Sequence, residues 1–164
     1  MPRTVNPIPE GHHTITPYLV VRDAARAIDY YKRAFGAKER GRMDGPDGKV
    51  MHAEIQIGNS ILMLSDEFPM GKCRSPQSLG GATASVFLYV EDVDSSFQRA
   101  VDAGGTVELP VTDQFWGDRY GVLTDPFGHQ WALATRKEDL TAEEIRKRGE
   151  AAMAAMCPNA QVQA

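Results

Sequence analysis

The chain repeats itself, and the repeat limits what it can fold into. Thr16 through Asp23 overlays Ser85 through Asp92. The same shift places Ile28 on Phe97, Gly36 on Gly105, and Leu62-Met63-Leu64 on Trp131-Ala132-Leu133. A repeat of this kind is one supersecondary unit used twice, because a single copy cannot bury its apolar face alone. The end of the second copy is the sharpest stretch: Trp116-Gly117-Asp118-Arg119-Tyr120-Gly121, then Asp125-Pro126-Phe127-Gly128-His129. Pro early and Gly late in Asp125-Pro126-Phe127-Gly128 suit a tight turn. With Val122 and Leu123 before it and Trp131 and Leu133 after it, the stretch predicts a β-hairpin. Ile55 to Leu64, turning at Gly58-Asn59, is its counterpart in the first half.

Local patterning fills in each unit. Residues 15–21 predict a strand, and Pro17 puts that end at an edge or a bulge. Asp23 is an N-cap for a helix carrying Ala27, Ile28, Tyr31 and Phe35 at helical spacing, closed by Gly36. Strands follow over 38–43, 50–57 and 60–65. The second half repeats the order: a strand over 85–90, an Asp92-capped helix ended by Gly104-Gly105, a strand over 106–111, and the hairpin. Residues 141–156 predict a last helix opened by a Thr141/Glu144 capping box, lying on this subunit or on a partner.

The division that follows is an extended N-terminal arm over 1–13 and a first βαβββ unit over 14–67. An inter-unit loop over 68–82, a second unit over 83–136, and a C-terminal helix and tail over 137–164 complete it. Pro2, Pro7 and Pro9 disfavour regular structure in the arm, where His12 and His13 read as an exposed loop pair. The fold class is α+β: tandem βαβββ units forming a curved mixed sheet, or half-barrel, around a cleft. Helices cover one sheet face, and the other must enclose a cavity or meet a second sheet.

Composition narrows the partners. Net charge is −4 with no basic cluster, which argues against a nucleic-acid backbone. No apolar run approaches the roughly 18–20 residues of a membrane span, and the N-terminus lacks a signal-peptide pattern. A cytoplasmic protein is the expectation. Cys73 and Cys157 form neither a disulfide framework nor a CxxC motif.

Strand alternation assigns the cavity face. From the first half it takes Thr16, Tyr18, Val20, His52, Glu54 and Gln56, with Met63. From the second it takes Ser85, Phe87, Tyr89 and Ala132. Tyr18, Met63, Phe87 and Tyr89 are expected as apolar walls, and His52, Glu54 and Gln56 as polar anchors, the usual make-up of a small-molecule site. Trp116 offers a stacking surface and Arg119 a charged contact, although Asp118 and Arg119 equally suit a pair that braces the hairpin. His52 and Glu54, two apart on one strand, are also the candidate acid–base pair. His129 shares its strand face with Trp131 and Leu133, the helix-facing set, so it is expected to point away from His52 and Glu54.

These features together resemble the vicinal oxygen chelate superfamily, which holds glyoxalase I, bleomycin-resistance proteins, fosfomycin-resistance enzymes and extradiol dioxygenases. The resemblance rests on the paired units, the Asp-capped helix ending in Phe-Gly and the Asp-Pro-x-Gly turn before the last strand, and covers about residues 12–136. Thr16-Pro17-Tyr18-Leu19, His52-Ala53-Glu54 and Trp116 to Gly121 look like its PhnB-like branch. The resemblance implies a small-molecule cleft and a homodimer. It leaves open whether one chain or two completes the cleft. Carried over by register, the superfamily's metal-ligand positions fall on Thr16, Met63, Ser85 and Ala132, none of them an imidazole, carboxylate or thiolate. No cofactor is expected, and a divalent metal elsewhere stays open. The leading expectation is metal-independent small-molecule binding, antibiotic sequestration included. The alternative is a lyase or isomerase using His52 and Glu54.

Overall fold

Both halves follow the same path in the computed structural model, which describes residues 5–156. Pro2, Cys157 and the tail fall outside the described residues. In the first half, β1 (Tyr18–Val21) leads to α1 (Ala24–Phe35), then β2 (Lys38–Asp44), β3 (Val50–Ile57) and β4 (Ser60–Asp66). A short α2 (Pro76–Leu79) follows. The second half runs β5 (Ser85–Tyr89), α3 (Val93–Asp102), β6 (Thr106–Asp113), β7 (Asp118–Thr124) and β8 (Gln130–Arg136). The last helix is α4 (Ala142–Met156).

Each half forms a four-stranded mixed sheet, ordered β1-β4-β3-β2 and β5-β8-β7-β6. First and last strands pair in parallel, and the other pairs are antiparallel. The repeat is exact where the sequences overlay: Tyr18 pairs with Met63 as Phe87 pairs with Ala132. It slips by one residue between the middle strands. Glu54 lies opposite Met63, whereas Val122 lies opposite Ala132. His52 and Glu54 therefore correspond to Tyr120 and Val122, not to the residues a constant shift selects.

The caps behave as expected. Asp23 accepts from Arg26 N and Asp92 from Ser95 N, and Gly36 is left-handed at φ 66°. The two glycines that overlay differ in role. In the second unit Gly104 holds the positive φ, while a Cβ on Gly105 would stand 2.9 Å from the Tyr30 hydroxyl. Gly105 is there for close approach between the units.

The core is shared by the two halves. Val21, Ile55 and Leu64 from one sheet and Leu123, Trp131 and Leu133 from the other are essentially inaccessible to water. The α1 aromatics join them, with the Trp131 ring centred 4.5 Å from Phe35 and 5.1 Å from Tyr31. Each such aliphatic side chain contributes about 1.5–3 kcal/mol on burial.

Four expectations need correction. The first strand starts at Tyr18, not Ile15, because Pro17 has no N–H to donate; Ile15 is 85% exposed. The inter-unit segment is not wholly loop: Ser75 caps the single turn of α2 by accepting from Ser78 N. β6 runs two residues further than predicted, to Asp113. The fourth concerns His12 of the arm, which packs inward over β3. α4 has its predicted capping box, Thr141 N–H to Glu144 and Glu144 N–H to the Thr141 hydroxyl. It packs against the second unit of the same chain, where Gly149 leaves room for Phe115 and Arg148 pairs with Glu138.

Candidate functional site

On β3, Ala53 and Ile55 are buried towards α1, so His52, Glu54 and Gln56 point to the opposite, concave face. Glu54, Met63 and Tyr18 then form one cross-strand row. The Tyr18 hydroxyl reaches His52 Nδ1 at 3.3 Å, and His52 Nε2 is 3.6 Å from Glu54 Oε1. His12 adds a second imidazole, its Nε2 3.5 Å from the same oxygen. Gln56 is committed elsewhere: it accepts from Arg40 and donates to the Gly58 carbonyl.

The concave face of the second sheet is aromatic. Phe87 is centred 5.0 Å from Tyr89 and 5.7 Å from Tyr120, and Trp116 stands edge-on to Tyr120 at 5.6 Å. Phe87 is 46% and Tyr89 67% exposed, a large apolar surface left open to solvent. Asp118, buried beneath it, accepts from the Tyr89 hydroxyl at 3.0 Å and from Trp116 Nε1 at 3.1 Å. That bond to a carboxylate raises the pKa of the Tyr89 hydroxyl. Asp118 thus orients two of the rings.

β1 and β5 are edge strands of their sheets, and side chains from both line the seam between the units. A cavity of about 480 Å³ there is lined by Tyr18 and Val20 from one unit and Ser85 and Phe87 from the other. His129, expected with the helix-facing set, lines this cavity instead, because its Nε2 donates to the Val20 carbonyl 3.1 Å away. A second cavity, about 820 Å³, opens on the helix side of β5 against Phe35, Leu88 and Trp131.

The positions that hold the superfamily's metal do not fit one here. The Thr16 hydroxyl donates to the His13 carbonyl, and Ala132 offers only a buried methyl group. Met63 and Ser85 add a thioether and a hydroxyl, which are poor donors for a divalent ion. Among the described residues no three His, Cys, Asp or Glu side chains are grouped to hold a metal.

Most of the residues singled out in the sequence lie on the concave faces: Tyr18, His52, Glu54 and Met63 on one sheet, Phe87 and Tyr89 on the other, with Trp116 beside them. Arg119 does not. It alternates with Asp118 and so turns to the helix side, where it grips Asp94 of α3 through two nitrogens at 2.7 Å and Asp113 at 3.1 Å. Those bonds raise the Arg119 pKa and lower that of Asp94. Asp118 and Arg119 do not pair with each other. Sequence reading missed two residues of the site. Tyr120 was legible, since it shares a strand face with Asp118 and Val122. His12 left no local signal.

Comparison with known proteins agrees with this architecture. The family model described as the glyoxalase/bleomycin resistance protein/dioxygenase superfamily matches residues 11–133. An uncharacterized protein of Mycobacterium tuberculosis is 50% identical over 135 residues, covering 80% of this chain and 79% of its own length. The crystal structure of TioX from Micromonospora is similar with a TM-score of 0.61 and 30% identity, covering 76% of this chain and 98% of that one. A PhnB protein from Bacillus cereus, at 19% identity and a TM-score of 0.60 over 75% of this chain and 99% of its own, shares the fold. No helix among the described residues is long and apolar enough to cross a membrane. The chain belongs to the glyoxalase/bleomycin resistance protein/dioxygenase superfamily.

Proposed function

We propose that this protein binds a small, planar, largely apolar molecule in the cleft of its paired sheets, without a metal. One observation carries the reading: Phe87, Tyr89, Trp116 and Tyr120 form a contiguous, solvent-facing aromatic wall, two of whose rings, Tyr89 and Trp116, are oriented by the buried Asp118. Rings that only filled a core would be buried, as Tyr30, Tyr31 and Trp131 are. Sequestration of an aromatic antibiotic is one use of such a wall, and the superfamily takes part of its name from drug resistance. Thermal-shift screening against aromatic antibiotics and small carbonyl compounds tests the reading, since a ligand of the folded state raises the melting temperature. A hit must be recovered chemically unchanged, and its shift must shrink in Trp116→Ala.

A homodimer in the cytoplasm belongs to the same proposal. β6 is an outer strand whose Val107 and Leu109 are 45% and 40% exposed, and an edge of that kind needs covering. Light scattering behind a sizing column decides it. A monomer at micromolar concentration removes this part.

The contact of Tyr18, His52 and Glu54 favours a second reading, a lyase or isomerase in which this set moves a proton. Product formed by the parent protein and lost in Glu54→Gln, with binding retained, would establish it.

A further inference from the structure

We propose that His12 is a ligand-binding residue, and that with His52 and Glu54 it takes a hydroxyl or ammonium group of the bound molecule. This rests on the reading that the concave face binds a small molecule. Two short-range bonds shape the arm: His12 N–H to the Pro9 carbonyl and the Thr16 hydroxyl to the His13 carbonyl, each 3.1 Å. They turn His12 inward over β3 and leave its neighbour His13 exposed. The His12 side chain is only 12% exposed. Both of its ring nitrogens are out of reach of water and have no hydrogen-bond partner. Burying such a group unpaired is costly, and native structures seldom tolerate it without a reason.

The neighbours state what is missing. His12 Nε2 and His52 Nε2 stand 3.5 and 3.6 Å from one oxygen of Glu54, wider than an ordinary N–H···O bond. A polar atom admitted beside them by an outward shift of the arm bonds to Glu54 and to an imidazole. Glu54 as a carboxylate only accepts, whereas an imidazole can accept or donate. The entering group must therefore bring a hydrogen. A hydroxyl or a protonated amine qualifies. A carboxylate or phosphate would meet Glu54 as a like charge. Tyr18, bonded to His52 from the side of the seam, links this polar end to the cavity that Phe87 also lines. A ligand with a flat apolar body and a protic head matches both ends.

Four probes that share one ring system test this: 4-methylbiphenyl, 4-phenylphenol, 4-phenylbenzylamine and biphenyl-4-carboxylate, titrated calorimetrically into the full chain. The phenol or the amine should bind about tenfold more tightly than 4-methylbiphenyl, the gain of one well-made hydrogen bond. The carboxylate should bind no better than 4-methylbiphenyl. His12→Ala and Glu54→Ala should each erase the protic advantage, so that in those variants the phenol and the amine bind no better than 4-methylbiphenyl, and His12→Gln should keep part of it. If His12→Ala fails to fold, the comparison of parent with His12→Gln and Glu54→Ala carries the test. A protic advantage that survives His12→Ala, or a carboxylate that binds best, overturns the proposal while leaving the cleft intact. If 4-methylbiphenyl and all its analogues fail to bind, the cleft reading falls, and this proposal with it.

Discussion

The Tyr31 hydroxyl donates to Asp125 Oδ2 across 2.7 Å, tying the helix of the first unit to the hairpin turn of the second. Asp125 is buried and accepts three further bonds, from Trp131 Nε1 at 2.8 Å and from the Phe127 and His129 backbone N–H groups at 2.9 Å each. One carboxylate thus shapes the Asp-Pro-Phe-Gly turn and fastens the two halves together. Burial, followed by the charge of Asp125, drives the Tyr31 pKa well above its ordinary value, so the proton stays on the phenol. Tyr31→Phe removes a buried bond to a charged acceptor and should cost about 1.5–3 kcal/mol of stability. Urea denaturation followed by circular dichroism measures it, and an unchanged midpoint would mean that this bond does not couple the units.

Close approach behind the aromatic wall gives a second prediction. A Cβ on Gly121 would stand 2.9 Å from both Phe97 and Val111. Gly121→Ala should therefore overpack α3 against β7 and cost about 1–3 kcal/mol. A melting temperature equal to the parent's would show that α3 can shift freely.

Asp118 predicts a change in ligand binding with a modest structural cost. In Asp118→Ala, Tyr89 and Trp116 lose their common acceptor. Stability should fall by about 1 kcal/mol, Trp116 emission should change, and any planar ligand found by screening should bind several-fold more weakly. Retained affinity would show that the rings need no brace.

Arg119→Ala should leave ligand affinity unchanged, because the guanidinium is spent on Asp94 and Asp113 on the helix side. Isothermal titration of the same ligand decides it. A large loss of affinity would restore the charged contact that the sequence suggested.

Acid should loosen the inter-unit segment. Hydrogen bonds from Ser75 and then Ser78 hold Glu67 down to about 2 from 4.5. A carboxylate whose pKa is depressed in the folded state stabilises it above the unfolded value. That contribution is lost as pH falls through the folded value. Stability should therefore drop between about pH 4.5 and 2, and Glu67→Gln should drop less over that window. Melting curves of the two proteins at stepped pH make the comparison. Parallel curves would show that Glu67 does not pin the segment.

Sequence alone determined the two-unit architecture and the side that most strand residues of the site face, Arg119 and His129 excepted. Both follow from short-range periodicity: alternation decides that His52 and Glu54 oppose Ala53 and Ile55, and the Asp23 and Asp92 caps decide where the helices start. The same periodicity placed Tyr18, Met63, Phe87 and Tyr89 on the concave face. Only the tertiary structure decided the rest. His12 reaches Glu54 from a segment far away in the chain, and nothing local encodes that meeting. Arg119 faces α3 because the strand alternates, but its partner Asp94 is known only once the helix is docked. The one-residue slip in the second sheet, which sets Tyr120 where the first has His52, is a property of strand pairing. Patterns in a sequence record the period of each element, whereas the position of one element against another is fixed by packing that no short window contains.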